Sequence, residues 1–280
     1  MVDASPRKPL PMQPPKYYPG VGCCIYCFRT DVPLKDEHIV PLAFAGNHVI
    51  RDASCDDCAK KTSLIERRVL REYWGKSREA VNFPTRRPKR RADKLEMRIA
   101  NDADGRTVEV DWNKFPATFA LPQLERPGRM RGVPPSKVGK ILGPWIATCG
   151  PNNAVPNQVS EPLRIDDFVG FIAKLAHSFV FAQLGREALT FWSALPSVIG
   201  GSYPFPFYLI GGIGSEKPIE PLTAQTRFPI TFTLHGQIVD GLEFLTVGLQ
   251  MFSDLGGPTY AAIFGARPSS AGIPTKFKCE

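Results

Sequence analysis

Cys24-Ile25-Tyr26-Cys27, Asp36-Glu37-His38-Ile39-Val40-Pro41 and Cys55-Asp56-Asp57-Cys58 follow one another in a short span, and their order decides how the chain is read. The two CxxC pairs offer four soft thiolates as two knuckles about thirty residues apart, which suits a tetrahedral Zn²⁺. Such a closed site braces a small fold that has too little core of its own. The chain holds seven cysteines, an odd number and a poor disulfide framework. Cys23 beside Cys24 leaves two registers for the first pair. Cys24, Cys27, Cys55 and Cys58 are the set that keeps a two-residue gap in both knuckles. Free buried cysteines and a redox CxxC are the competing readings; two pairs flanking one segment favour a shared metal.

Between the knuckles, residues 34–41 read as a short strand ending at proline, Gly46 and Asn47 as a turn, and His48-Val49-Ile50 as a second strand. From Asp56 the period becomes helical: Ile65, Val69 and Tyr73 recur every four residues, Leu70 and Trp74 widen that face, and Gly75 stops it. Glu37 and His38 are neighbours at a strand end, so their side chains point to opposite faces unless the strand bends there. With a bend, the carboxylate can hold a hard divalent ion while the imidazole faces a water. Histidine's near-neutral pKa suits it to take that water's proton.

With 280 residues, 43% of them hydrophobic, the chain can bury a sizeable core, which excludes wholesale disorder. A formal charge of +8 fits a polyanionic partner, and its placement matters more than its sum. Residues 1–20, rich in proline and lysine, read as a disordered or strap-like tail without a signal-peptide core. Residues 21–83 form the compact motif region. Residues 84–94 are a basic linker carrying Arg86, Arg87, Lys89, Arg90 and Arg91. Residues 95–280 read as an α+β domain with an antiparallel sheet. In it, residues 95–99 and 107–110 are expected as a hairpin, 116–162 as loops, 164–184 as a helix capped by Asp166 or Asp167, and 188–195 as a shorter helix. Strands are expected at 203–210, 227–234, 242–252 and 259–264. The apolar run 168–184 is short for a membrane span and carries Lys174 and His177, so no membrane partner and a cytoplasmic location are expected. His177 reads as a satisfied core histidine and His235 as a turn residue. Gly211-Gly212-Ile213-Gly214 lacks the Lys-Ser/Thr pair of a phosphate loop.

The ordered set CxxC, Glu-His-Ile-Val-Pro, glycine turn, CxxC and helix, over residues 23–75, resembles the HNH endonucleases. It is most similar to the bacterial branch whose ββα-metal core is braced by a four-cysteine zinc site. The resemblance implies a DNA phosphodiester hydrolase acting on duplex DNA, with structural Zn²⁺ and a catalytic Mg²⁺ or Mn²⁺. His38 matches the general base and Glu37 the acidic metal ligand. It also puts Lys60, Lys61, Arg67, Arg68 and the run Arg86, Arg87, Lys89, Arg90, Arg91 in the position of nucleic-acid contacts. The chain departs from the family where the second CxxC is commonly followed by Asn or His, because Ala59 stands there. Asp56, Asp57 or Thr62 are the candidate substitutes, and Asn47 or His48 the candidates for the residue that orients the base. Glu66 lies about two turns, roughly 10 Å, beyond Ala59 and is expected to pair with a lysine or arginine instead. Ala59 motivates the alternative of a catalytically silent, zinc-containing nucleic-acid-binding module. A third expectation gives the main role to residues 95–280 as a ligand or partner receptor.

Overall fold

The computed structural model describes residues 14–85, 92–98, 104, 106–149, 162–213, 230–269 and 276–277. Arg86, Arg87, Lys89, Arg90 and Arg91 of the basic run lie outside the described residues, as do residues 1–13 of the tail and Cys279.

The motif region folds as a three-stranded sheet with a helix behind it. β1 (Lys16–Tyr18) runs parallel to β3 (His48–Cys55), and β2 (Leu34–His38) pairs with β3 antiparallel. The β2–β3 register shifts between Lys35 and Glu37. Asp36 fills the irregularity, its carboxylate accepting the Asp52 amide at 3.2 Å. Gly46 closes the connection because the chain doubles back tightly: a Cβ there would stand 1.9 Å from the Val40 carbonyl oxygen. α1 (Asp56–Arg67) starts directly from β3 with Asp56 and Asp57 in its first turn, where carboxylates suit the helix dipole. It continues as a π-helical stretch, Arg68–Tyr73, and α2 (Gly75–Ala80) follows.

The remainder is α+β. β4 (Lys94–Arg98) and β5 (Thr107–Asp111) form the expected hairpin. β6 (Ala117–Leu124) and β7 (Ile141–Cys149) form another, where loops were expected. Pro122 sits directly opposite Pro144 in that pair. Two facing prolines cost nothing where the ladder calls for no donor from either, so proline content alone misleads here. α3 (Ile165–Leu184) matches its expected span, but no side chain caps it, Arg164 occupying the N-cap position. A 3₁₀ turn (Gly185–Thr190), β8 (Trp192–Ser193) and α4 (Leu195–Ile199) replace the single helix expected at 188–195. Pro206 starts a helical turn, α5 (Pro206–Leu209), where a strand was expected, and β9 (Ile210–Gly212) follows it.

β10 (Ile230–Val239), β11 (Leu242–Met251) and β12 (Thr259–Pro268) make the centre of a six-stranded antiparallel sheet. β13 (Lys276–Phe277) pairs with β10, while β8 and β9 both pair with β12. His235 lies within β10 rather than in a turn.

One buried cluster runs from Val21 to Phe264 and includes residues of both expected domains. Trp74, at the end of the π-helical stretch, stacks on Phe44 at 5.5 Å and meets Phe252 edge-on at 5.7 Å. Its indole N–H donates to the Ala120 carbonyl in β6 at 3.3 Å. α3 is the central strut. Its span with the following turn, Ile165–Thr190, is long and apolar enough to cross a membrane by composition, yet it lies mostly buried inside the fold. Gly170 brings α3 close to α1, since a Cβ there would already stand 3.3 Å from Ile65 Cδ1. One turn further on, Lys174 arrives beside Glu66.

Candidate metal centre and the charge cluster beneath it

The first knuckle forms because Cys24 turns the chain on itself. Its carbonyl accepts the Phe28 amide at 2.8 Å, and its own amide donates to Arg29 O at 2.9 Å. Phe28 takes the left-handed conformation (φ 60°) that this tight turn requires. Ile25 N–H docks the knuckle on β3 through Ala53 O at 2.8 Å. β3 then delivers Cys55, and the first turn of α1 delivers Cys58. The Cys55 amide points at Cys24 Sγ, 3.4 Å away, a donor that favours a thiolate at that position.

The four Sγ atoms of Cys24, Cys27, Cys55 and Cys58 all lie within 4.8 Å of one another, with Cys27 and Cys55 at 3.7 Å. A tetrahedral zinc with Zn–S bonds near 2.3 Å needs sulfurs roughly 3.8 Å apart. The spacing and the soft donor set therefore fit a structural metal such as zinc. Three of the four are buried and Cys27 is exposed, so the site sits at the surface with its back to the core. Burial pushes the Cys55 thiol up, but hydrogen bonds from the Cys58 amide and the neighbouring thiols more than offset this and bring it down to about 7. Burial drives Cys58 well above the usual thiol range in the metal-free cluster. A cluster in which one sulfur readily ionises and another resists is one that a divalent cation would stabilise. Cys23 points away from the four.

Beneath the knuckles lies a second feature that no local pattern announces. Glu37 turns into the protein, and its Oε1 receives the Tyr26 hydroxyl at 3.1 Å and the Lys174 ammonium at 2.9 Å. Glu66, from α1, holds the same ammonium at 2.9 Å through its Oε1. Lys174 also donates to the carbonyls of His38 and Ile39, the latter at 3.2 Å. Its side chain is 0% exposed, against 8% for Glu37 and 23% for Glu66. Burial alone would lower the Lys174 pKa, but Glu37 and Glu66 outweigh it and raise the pKa above its ordinary value, so the ammonium stays charged. Glu66 thus pairs with a lysine, as its distance from Ala59 suggests.

One turn further along α3, His177 is fully buried. Its Nε2 donates to the Ile25 carbonyl at 2.6 Å and its ring stacks on Tyr26 at 5.3 Å. It is a core histidine, and burial pushes its pKa down to about 4. Lys174 and His177 together clamp the first knuckle and the end of β2 against α3.

The remaining candidate residues are spread out. His38 is half-buried at the end of β2. His48 is tied to β1, its Nδ1 at 2.8 Å from the Tyr18 hydroxyl, and burial, helped by Lys16, lowers its pKa. Asn47 donates to Pro14 O at 3.1 Å. Thr62 is buried and returns its hydroxyl to the Ala59 carbonyl at 3.2 Å. Asp56 pairs with Lys35, and Asp57 lies 3.9 Å from Lys60. Lys61 is exposed. Arg67 pairs with Glu72 at 3.2 Å, whereas Arg68 is drawn inward to Asp167 on α3 at 2.8 Å.

A divalent ion on Glu37, which the HNH resemblance implies, does not fit this arrangement, because Lys174 and Tyr26 already occupy the carboxylate oxygen. Sequence reasoning passed over Lys174 and Tyr26. The signal for Lys174 was present: a lysine inside an apolar helix has to find a carboxylate. Comparison with family models, with curated proteins and with solved structures finds no match to the chain.

Proposed function

We propose that this chain is a zinc-braced nucleic-acid-binding protein, built on an HNH-like hairpin and helix whose catalytic-metal position is closed. The observation that carries this reading is the Lys174 ammonium on Glu37, buried and matched by a second carboxylate from Glu66. Ala59, which offers no ligand, points the same way. Binding is supported by the net charge of +8 and by the exposed Lys60, Lys61 and Arg67 on α1. Arg68 belongs to the interior and contributes little to such a surface.

The test uses the zinc-loaded full chain and labelled duplex DNA. Anisotropy should report binding that weakens steeply with salt, with a log–log slope of about −0.9 for each phosphate neutralised. Replacing Lys60 and Lys61 together by alanine should flatten that slope. No strand breaks should accumulate with Mg²⁺ or Mn²⁺. A second reading, a DNA endonuclease with His38 as base and Glu37 as metal ligand, is favoured by the convergence of two carboxylates, Glu37 and Glu66, on one point. Strand breaks that disappear in His38→Ala would establish that reading and remove the first.

A further inference from the structure

We propose that the Lys174 ammonium is the resident cation of an oxygen cage, and that this cage becomes a site for a hard divalent cation once the ammonium is removed. Four oxygens converge on the one nitrogen: Oε1 of Glu37, Oε1 of Glu66 and the backbone carbonyls of His38 and Ile39. Two carboxylates and two carbonyls are the donors that Ca²⁺, Mg²⁺ and Mn²⁺ select, and they are poor donors for zinc beside a four-thiolate site. The cage is preformed by structure around it. Glu37 is fixed by the Tyr26 hydroxyl, the carbonyls belong to the end of β2, and Glu66 is carried on the α1 face that packs on α3 at Gly170.

The charges also favour one cation in this place. With the ammonium present, its single positive charge faces two carboxylates. Without it, two partly or fully buried carboxylates face each other, and a divalent ion offsets both. Oxygen ligands bind such ions at roughly 2.0–2.6 Å, so the cage needs to contract by only a few tenths of an ångström from its separations around the ammonium. The native chain therefore carries a tethered cation where the resemblance implies a free one. This inference rests on the Lys174 contacts alone, and a chain that bound no nucleic acid would leave it standing.

The experiment measures Mn²⁺ binding to zinc-loaded protein by the loss of the free-ion electron paramagnetic resonance signal. Wild type should bind no Mn²⁺ at the cage. Lys174→Ala should bind a single additional ion per chain and should gain thermal stability from Mn²⁺ that wild type does not gain. Adding Glu37→Gln to that variant should weaken the new site by roughly tenfold or more. Lys174→Gln, which keeps bulk and a donor, provides a second route if the alanine variant folds poorly; it should bind the ion more weakly but measurably. The proposal is overturned if both variants hold their zinc and native fold yet bind no more Mn²⁺ than wild type. It is equally overturned if both are unfolded and Mn²⁺ rescues neither. Stoichiometric Mn²⁺ binding by wild type that Glu37→Gln abolishes would show that the ion displaces Lys174, and would also overturn it.

Discussion

His177 is the residue whose behaviour the structure sets most quantitatively. Burial holds its imidazole at a pKa of about 4, whereas an unfolded histidine titrates near 6.5. Between those values the unfolded chain binds more protons than the native one, so unfolding free energy rises with pH across that window. The contribution is complete above the unfolded value and is lost as pH falls toward the folded one. The gap corresponds to about 3 kcal/mol, to within roughly a factor of two. His177→Gln provides the comparison, because an amide can still donate to the Ile25 carbonyl but does not titrate in this range. Urea denaturation of both chains at steps from about pH 7 down to about pH 4 measures the difference. Both carry the same carboxylates and cysteines, so subtracting one curve from the other isolates the imidazole. The wild-type lead over the variant should shrink by about 3 kcal/mol on acidification. A lead that stays constant across the window would refute the assignment of His177 as a buried neutral group.

Three further expectations concern the same region. Cys55→Ser should remove the bound zinc, read by metal analysis of the purified chain, and should loosen the region 21–75 in hydrogen exchange. Lys174→Ala in metal-free buffer should destabilise by about 3–5 kcal/mol, since it strands Glu37 and Glu66 without a counter-charge. Restoring neutrality with Glu37→Gln and Glu66→Gln should recover part of that loss in denaturant titrations. Gly46→Ala should cost about 1–3 kcal/mol or more, because its Cβ would collide with the Val40 carbonyl; a thermal midpoint equal to wild type would contradict the tight connection described.

The elements legible in the sequence were those with a local signature. The knuckles, the turn at Gly46, the helix from Asp56 and the strands 242–252 and 259–264 each announce themselves through spacing or period, and the four cysteines do assemble. The hairpin of β6 and β7 was hidden because its facing prolines imitate a loop, and Pro206 converted an aromatic stretch into a helical turn. Glu37 was misleading for a different reason. Its partner is determined by how α3 packs, and neither the strand that carries Glu37 nor the period of α3 encodes that meeting. The side chain itself is compatible with a metal or with an ammonium, and only the tertiary fold brings one of them.

The clamp made by Lys174 and His177 also sets an order for biosynthesis. Ile25 and His177 are 152 positions apart in the chain. The knuckles can emerge from a ribosome and capture their metal long before α3 has been made. During that interval Glu37 and Glu66 remain hydrated, and the apolar face of α1 has nothing to cover it. Contacts of such long sequence separation form late and slowly. The nascent chain therefore passes through a metal-loaded but unfinished stage, and it is at that stage that its exposed apolar surface is most open to chaperones and proteases.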